Sequence, residues 1–293
     1  MSKPIKLTAI SLMCLAAIAA RASDYSALYV LGDSLSDTGN NPAGAMNSNY
    51  WEGRASNGPM WPELLSNLFG IPYSQVNNKA YGGAATFDQL SIPGIMTQVN
   101  ELPQTIANDS LCVLWIGTND LQYVFGQYGQ TDVSSLFQLY FTVTANAMTN
   151  ILSAVNTLHA RGLRTLVVLN AYDVTITPYY QHHSSWTTVL PIFSLAISDF
   201  NNHLVDLSNS LKVSYPDMTI INVDARGRLN GVFANAANYD LLPGYQKGWD
   251  DAVFLSSHDF WQGERYYTWD GLHPTSKLHR AIATWIYLVT TKS

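Results

Sequence analysis

Residues Leu28–Asn40 read LYVLGDSLSDTGN, and this stretch predicts how the fold is built. Its first four residues are apolar and favour a β-strand, the run stops at Gly32, and Ser34 follows two residues later. A strand that ends in this way places the next side chains at the carboxyl edge of a sheet, where open α/β proteins bind their ligands. A lone serine there is often only the cap of the next helix. Evidence for chemistry must therefore come from partners elsewhere in the chain.

The same pattern, a short apolar run bounded by glycine or polar residues, recurs along the chain. Such runs occupy Ala27–Leu31, Leu111–Ile116, Thr165–Asn170 and Thr219–Val223, with a weaker one near Ser74–Asn77. Apolar residues at helical spacing predict helices over Met60–Phe69, Leu136–His159, Ile192–Leu211 and Thr275–Val289. Unbroken apolar runs are typical of strands buried on both faces, and strand–helix alternation favours a parallel sheet. We expect an α/β protein with helices on both sides of the sheet.

The chain begins with a segment that is predicted to be removed. Two lysines precede the apolar run Leu7–Ala20, and Ala22 completes an Ala-x-Ala pattern typical of a signal-peptidase site. The apolar run is too short to span a bilayer as a helix. We therefore expect a signal peptide at residues 1–22, a single domain at residues 23–293, and a secreted or periplasmic protein.

The composition restricts the partners of this domain. The formal net charge is −6, and removal of the basic residues before the cleavage site would make the protein more acidic. Because neutralisation of phosphates dominates nucleic-acid affinity, we expect no nucleic-acid binding. Cys112 would be the only remaining cysteine, so no internal disulfide can form. Its apolar neighbours predict a small buried residue and not a nucleophile.

Two long segments, Ala171–Leu190 and Gly231–Trp269, are rich in aromatic residues but lack clear periodicity. Long loops in compact domains are usually functional or disordered, and the aromatic content argues against disorder. The rings could pack together as a second core, or they could line a groove for an apolar chain. For the second alternative, the candidate substrate-binding residues are Tyr179, Trp186, Trp249 and Trp261.

Other polar segments are expected at the same edge of the sheet as Ser34, and together they have the chemistry of acyl transfer. A serine hydroxyl needs an adjacent base; His273 can serve, and Asp270 can hold the imidazole in the required tautomer. The backbone N–H groups of Ser34 and Gly83, with the side-chain amide of Asn119, can stabilise an oxyanion. These residues predict a serine nucleophile with a triad and an oxyanion hole.

Each of these segments alone has an ordinary structural explanation. A serine or asparagine at such a position can cap a helix, paired glycines form turns, and an Asp–His pair can be a surface hydrogen bond. Their occurrence together on an α/β scaffold favours a catalytic site. The pair His182-His183 has no carboxylate or cysteine at ligand spacing, so no metal and no other cofactor is predicted.

These segments resemble those of the GDSL lipases and esterases, also called SGNH hydrolases. The hallmark Ser, Gly, Asn and His of that family correspond to Ser34, Gly83, Asn119 and His273, and Asp270 matches its acid. The resemblance covers nearly the whole predicted mature chain. It implies a flavodoxin-like three-layer α/β/α sandwich of about five parallel strands.

Within the family, the chain is most similar to the bacterial secreted lysophospholipases A, phospholipases A, haemolysins and glycerophospholipid–cholesterol acyltransferases. Some exported relatives have a disulfide in the segment that matches Gly231–Trp269, whereas this chain has no cysteine there. The resemblance implies a lipid or other ester as substrate, with peripheral contact to membrane lipid, and we expect a monomer.

The sequence therefore leads to the hypothesis of an exported serine ester hydrolase, most similar to a lysophospholipase A or phospholipase A. A small-ester esterase, a carbohydrate O-deacetylase and a lipid acyltransferase are alternatives on the same scaffold. A non-catalytic protein that binds lipid or glycan through the aromatic segments is an alternative from another class.

Overall fold

The computed structural model describes residues 25–41, 46–129, 132–183 and 186–291. The predicted signal peptide at residues 1–22 lies outside the described residues. The described chain contains a parallel sheet in the order β1-β2-β3-β4. Its strands are β1 (Leu28–Gly32), β2 (Leu111–Trp115), β3 (Thr165–Leu169) and β4 (Thr219–Val223). Each strand coincides with a predicted apolar run.

The weak run near Ser74–Asn77 does not form a strand. Residues Gln75–Asn77 form a 3₁₀ turn instead. The chain then pairs with β1 through a parallel bridge between Asn78 and Val30, and the N–H groups of Lys79 and Tyr81 donate to the carbonyls of Val30 and Gly32. The Asn78 side chain donates to the carbonyl of Ser36 and accepts from the N–H of Ala80, so it stabilises a turn where a strand would continue. The Asn78 segment comes second along the chain and lies beside β1, at the edge away from β2. If it is counted as the second strand, the spatial order of the five segments is 2-1-3-4-5, as in flavodoxin.

Helices cover both faces of the sheet. The α-helices of the described residues are α1 (Trp61–Phe69), α2 (Ile95–Asn100), α3 (Thr118–Phe125), α4 (Val133–Ala160), α5 (Pro178–Gln181), α6 (Leu190–Ser214), α7 (Ala225–Ala234), α8 (Ala252–Ser257) and α9 (Ser276–Thr290). Short 3₁₀ helices occupy Trp51–Gly53, Gln75–Asn77, Val174–Ile176, Ala236–Tyr239, Gly248–Asp250 and Phe260–Arg265. The expected α/β/α sandwich is thus confirmed.

Alternate strand residues face two separate cores. One core joins Val30 and Val113 to α1, α7 and α9, whereas the other joins Leu31 and Leu114 to α2, α4 and α6. Cys112 belongs to the second core, where burial raises the pKa of its thiol to about 12. The prediction that Cys112 is a buried apolar residue is therefore confirmed.

Helices α4 and α6 are much longer than the strands that they cover. They have 28 and 25 residues, which corresponds to about 40 Å each, whereas a strand of five residues spans about 17 Å. The N-terminal halves of both helices project past the carboxyl edge of the sheet. There Tyr140 of α4 donates its hydroxyl to Asp199 of α6 at 2.6 Å, and Phe193 stacks on Phe125 of α3. The projecting halves thus flank the edge at which β1 ends.

The aromatic segment before the last helix packs largely upon itself. Phe254 and Trp269 are fully buried and meet edge to face with their ring centres 4.6 Å apart, and Phe260 packs on Trp269. This arrangement agrees with the first alternative, a second aromatic core. Among the described residues, no helix combines the length and apolar character needed to cross a membrane.

Gly32 ends β1 in a conformation that strongly disfavours any other residue. Its φ is +154°, and a Cβ at this position would overlap the carbonyl oxygen of Trp115 on the neighbouring strand. We expect Gly32→Ala to lower the free energy of unfolding by about 3 kcal/mol or more. Equilibrium denaturant unfolding would measure the loss.

Gly70 provides the matched control for this prediction. It also has a positive φ, +68°, but no atom lies within 4 Å of the position that a Cβ would take. Gly70→Ala should therefore cost only about 1 kcal/mol, the penalty for the left-handed backbone. Equal losses in the two variants would contradict the importance of the close approach to Trp115.

Candidate active site

Ser34 lies just past β1, where the left-handed Gly32 lets the chain turn sharply away from the sheet. Its Oγ is 2.8 Å from Nε2 of His273, which comes from the loop before α9. The other ring nitrogen of His273, Nδ1, is 2.6 Å from Oδ2 of Asp270. Because Nδ1 faces a carboxylate, it carries the proton, and Nε2 is left to accept from the Ser34 hydroxyl. The structure thus brings the three residues into one hydrogen-bonded chain.

Asp270 is held as an anion by several donors. Its Oδ1 accepts the backbone N–H groups of Leu272 and His273, both at 2.8 Å, and its Oδ2 also accepts the hydroxyl of Tyr50 at 2.7 Å. Burial would raise the pKa of this carboxyl, but the charge and hydrogen bonds of His273 outweigh burial and hold its pKa well below the ordinary value. Asp270 therefore stays ionised over the whole range in which His273 titrates.

The electrostatics of His273 follow from this partner. Burial lowers the pKa of a histidine, whereas the charge of Asp270 and its hydrogen bond raise it, with a further contribution from Asp33. The net effect is a pKa above the ordinary 6.5. A base of raised pKa accepts a proton more readily from a hydroxyl, provided that the solution is basic enough to leave it neutral.

Three donors surround the space beside the Ser34 hydroxyl. The backbone N–H groups of Ser34 and Gly83 have no hydrogen-bond acceptor among the described residues. Gly83 has a φ of +82°, and the neighbouring N–H of Gly82 donates to Asp37 at 2.8 Å, which fixes the turn. Asn119, in the first turn of α3, donates one N–H to the carbonyl of Ala84 at 2.8 Å and keeps its second N–H for another acceptor.

The residues that carry these donors line one cavity of about 250 Å³ together with His273. The cavity wall contains Ser34, Gly83, Asn119 and His273. Its other lining residues are Asp33, Leu35, Asn41, Met46, Gly82, Thr118, Gln122, Tyr172, Val174 and Leu272. The arrangement can hold an acyl group next to the serine with its carbonyl oxygen toward the three donors.

Two buried carboxyl groups connect the segments of the site. Asp120 accepts both the N–H and the hydroxyl of Thr86, which ties the start of α3 to the loop after Gly83. Burial raises the pKa of Asp120 to about 6. Asp33 accepts the N–H of Leu35, and burial raises its pKa to about 7. These acids shape the loops that hold the serine and the asparagine.

The four aromatic residues predicted to bind substrate do not line this cavity. Tyr179 and Trp186 pack on Tyr180, and Trp249 packs edge to face on Tyr50, behind the triad. Trp261 is 68% exposed and borders a separate groove. Periodicity is lacking in these segments, so the sequence could not tell which rings face the serine.

Sequence reasoning missed other lining residues, although two of them carried a signal. Tyr172 lies three residues past β3, at the same carboxyl edge as Ser34, and Gln122 lies one helical turn after Asn119. For Tyr50 there was no signal, because its contact with Asp270 joins residues far apart in the chain. Within the described ranges, no group of histidine, cysteine or carboxylate side chains has an arrangement that could hold a metal ion.

Comparison with known proteins identifies the class. A family model described as GDSL-like lipase/acylhydrolase matches residues 28–286. The chain therefore belongs to the GDSL lipase/acylhydrolase family, a class of carboxylic ester hydrolases. The family resemblance stated from the sequence is thereby confirmed.

The chain is also similar to individual proteins, but each of these matches has either low coverage or low sequence identity. A phosphatidylcholine–sterol acyltransferase from Aeromonas hydrophila is 34% identical over 131 residues, a match that covers 38% of this chain and 38% of the acyltransferase. The chain thus matches well under half the length of that relative. A phospholipase A1 from Streptomyces albidoflavus is 15% identical with a TM-score of 0.48, covering 91% of this chain and 99% of the other. An acetylxylan esterase from Geobacillus stearothermophilus is 14% identical with a TM-score of 0.49, covering 89% and 94%.

Proposed function

We propose that this protein is an exported serine hydrolase of lipid esters that acts as a lysophospholipase A or phospholipase A. The observation that carries the proposal is the hydrogen-bonded chain from Ser34 through His273 to Asp270, at a cavity that also presents unoccupied N–H donors. In this proposal Ser34 is the nucleophile, His273 the general base and acid, and Asp270 the residue that orients the imidazole.

In the first half of the reaction, Oγ of Ser34 attacks the carbonyl carbon of the ester while its proton passes to Nε2 of His273. The carbonyl oxygen becomes an oxyanion, which the N–H groups of Ser34, Gly83 and Asn119 stabilise. His273 then gives the proton to the departing alcohol oxygen as the bond between carbon and that oxygen breaks. The products of this half are a lysolipid or glycerol-based alcohol and an acyl-enzyme on Ser34.

In the second half, a water molecule attacks the acyl-enzyme and gives a proton to His273, which returns it to Oγ of Ser34 as the fatty acid leaves. An alcohol in place of water would give a transferred acyl ester. The similarity to a phosphatidylcholine–sterol acyltransferase supports acyl transfer as a second activity of the same site.

A lipid substrate is supported by an exposed apolar surface on the two helices that project past the carboxyl edge of the sheet. The projecting half of α4 exposes Val133, Phe137 and Phe141, and the first turns of α6 expose Ile192 and Leu195. Helix α4 contains no Asp, Glu, Lys or Arg. These exposed residues, which we name the apolar rim, stand at the edge of the sheet where Ser34 lies. In the proposed function the rim contacts a lipid surface, so that a lipid ester can pass into the cavity.

Export and a monomeric state are also part of the proposal. They are supported by the signal-peptide pattern of residues 1–22 and by the family resemblance. Cell fractionation with an antibody to the protein would test export, and light scattering of the purified protein would test its oligomeric state. A cytoplasmic pool of full-length protein would contradict export.

Substrate preference would be measured as fatty-acid release from lysophosphatidylcholine, diacyl phosphatidylcholine and p-nitrophenyl acetate. We expect release from the lysolipid to exceed release from the other two. Preference for the acetate would instead favour a small-ester esterase. Transfer would appear as acyl ester formation when a sterol is added.

The apolar rim gives a sharper test. We expect the double variant Phe137→Ser/Phe141→Ser to lose about tenfold in hydrolysis of vesicle lipid, with unchanged hydrolysis of p-nitrophenyl acetate. The matched control is Leu152→Ser/Val213→Ser, which removes exposed apolar residues near the opposite ends of α4 and α6. Equal rates on vesicles for both double variants would contradict contact of the rim with lipid.

A further inference from the structure

We propose that Tyr50 is a positioning residue for the catalytic triad, acting on His273 through Asp270. Its hydroxyl donates to Oδ2 of Asp270 at 2.7 Å, and this is the same oxygen that accepts Nδ1 of His273 at 2.6 Å. The inference rests on the triad roles proposed above and adds a fourth member to that set.

Tyr50 is held in place independently of the triad. Its ring packs edge to face on Trp249, with ring centres 5.5 Å apart. The preceding residue, Asn49, accepts the indole N–H of Trp269 through its carbonyl at 2.8 Å. Trp249 in turn donates its backbone N–H to the carbonyl of Trp269 at 2.9 Å. The segment that carries Tyr50 and the loop that carries Asp270 are therefore joined by several contacts around the shared hydrogen bond.

This contact completes the coordination of the carboxylate. Oδ1 of Asp270 is fixed by two backbone donors, and Oδ2 is fixed by His273 and Tyr50. Burial, together with the charge of Asp270, raises the pKa of Tyr50, so the phenol remains a donor at all working pH values. Tyr50 thus restricts rotation of the carboxylate and also draws negative charge away from the imidazole.

The Tyr50→Phe substitution leaves in place the other charged and titratable groups around His273 and Asp270. His273 also faces Asp33, whose charge raises the pKa of the imidazole, and the buried His279, whose own pKa is lowered to about 3 by burial and by His273. Asp270 also faces the buried phenol of Tyr172. Lys247, over the ring of Trp249, pairs with Asp250 at 3.4 Å.

The test is Tyr50→Phe, which keeps the ring on Trp249 and removes only the hydroxyl. Without that donor, Oδ2 carries more negative charge toward His273, so the protonated imidazole is stabilised and its pKa rises. We expect the acid limb of the pH profile of kcat/KM, measured with p-nitrophenyl acetate, to shift to higher pH by roughly half a unit. We also expect kcat on the plateau to fall about tenfold with little change in KM, because the carboxylate can rotate.

Tyr266→Phe is the matched control. The Tyr266 hydroxyl donates to Oδ2 of Asp251 at 2.7 Å, and Oδ1 of Asp251 accepts two backbone N–H groups, so this pair copies the Tyr50–Asp270 geometry without a histidine. The acid limb of the pH profile of Tyr266→Phe should coincide with that of the wild type. A low-field proton resonance from Nδ1 of His273 gives a second readout, which should shift in Tyr50→Phe and stay in place in Tyr266→Phe.

The proposal would be overturned if both the acid limb of the pH profile and the proton resonance were unchanged in Tyr50→Phe. A fall in rate alone would not support it, because a purely structural role of Tyr50 would also lower the rate. Failure of the proposed function is a different result. In that case Ser34→Ala would keep wild-type activity, and neither tyrosine variant could be interpreted through the triad.

Discussion

Ser34→Ala is expected to reduce ester hydrolysis by about 10⁵-fold or more, to the level left by binding and the oxyanion donors alone. Ser34 supplies the only hydroxyl oxygen that lies 2.8 Å from Nε2 of His273 among the described residues. Without it, no acyl-enzyme can form. The measurement is kcat/KM for p-nitrophenyl acetate and for lysophosphatidylcholine, together with labelling by a serine-directed phosphonate.

Ser36→Ala is the control for this prediction. Ser36 is fully buried in the same loop, and its hydroxyl has no hydrogen-bond partner among the described residues. Its loss should leave both activity and phosphonate labelling unchanged. Labelling of Ser34→Ala at the wild-type level would exclude Ser34 as the nucleophile. No labelling of the folded wild-type protein would instead favour the non-catalytic binding protein.

Asp270→Asn is expected to reduce kcat by about 10⁴-fold with the fold intact. An asparagine amide can donate to Nδ1 of His273, which would place the ring proton on Nε2. A protonated Nε2 cannot accept the proton of the Ser34 hydroxyl. The charge that stabilises the protonated imidazole is lost as well. Because burial lowers the pKa of His273 and only Asp270 and Asp33 oppose it, the acid limb of the residual activity should move to lower pH.

The sign of this shift is opposite to that expected for Tyr50→Phe. In wild type, activity should fall as the pH drops through the raised pKa of His273, since the base becomes protonated. Removal of the carboxylate charge lowers that pKa, whereas removal of the Tyr50 donor raises it. The control is Asp251→Asn, which changes a carboxylate with a similar set of donors away from the triad. A limb that stays in place in Asp270→Asn would show that this carboxylate does not set the basicity of His273.

The positions of the strands could be predicted from local sequence. Strands β1 and β2 coincide with unbroken apolar runs because they are buried along their whole length. Strand β4, which ends the sheet, coincides with an apolar run that polar Thr219 and Asn222 interrupt, and both of these residues are exposed. A fifth, weaker strand was predicted near Ser74–Asn77, whereas the structure has a bridge at Asn78 with two backbone hydrogen bonds to β1. There Gln75–Asn77 form a 3₁₀ turn, and the Asn78 side chain binds the carbonyl of Ser36 and the N–H of Ala80. Such contacts between side chain and backbone are not visible in apolar periodicity.

The residues with acyl-transfer chemistry could also be proposed from sequence, because Ser34, Gly83, Asn119 and the Asp270–His273 pair each follow a recognisable local pattern. That their side chains meet depends on the parallel register, which brings the ends of β1 and β2 to one edge of the sheet. The aromatic residues were beyond such reasoning. Whether Trp249 faces the substrate or supports Tyr50 depends on long-range packing, since the contact of Tyr50 with Asp270 joins two loops that neither helical nor strand periodicity relates.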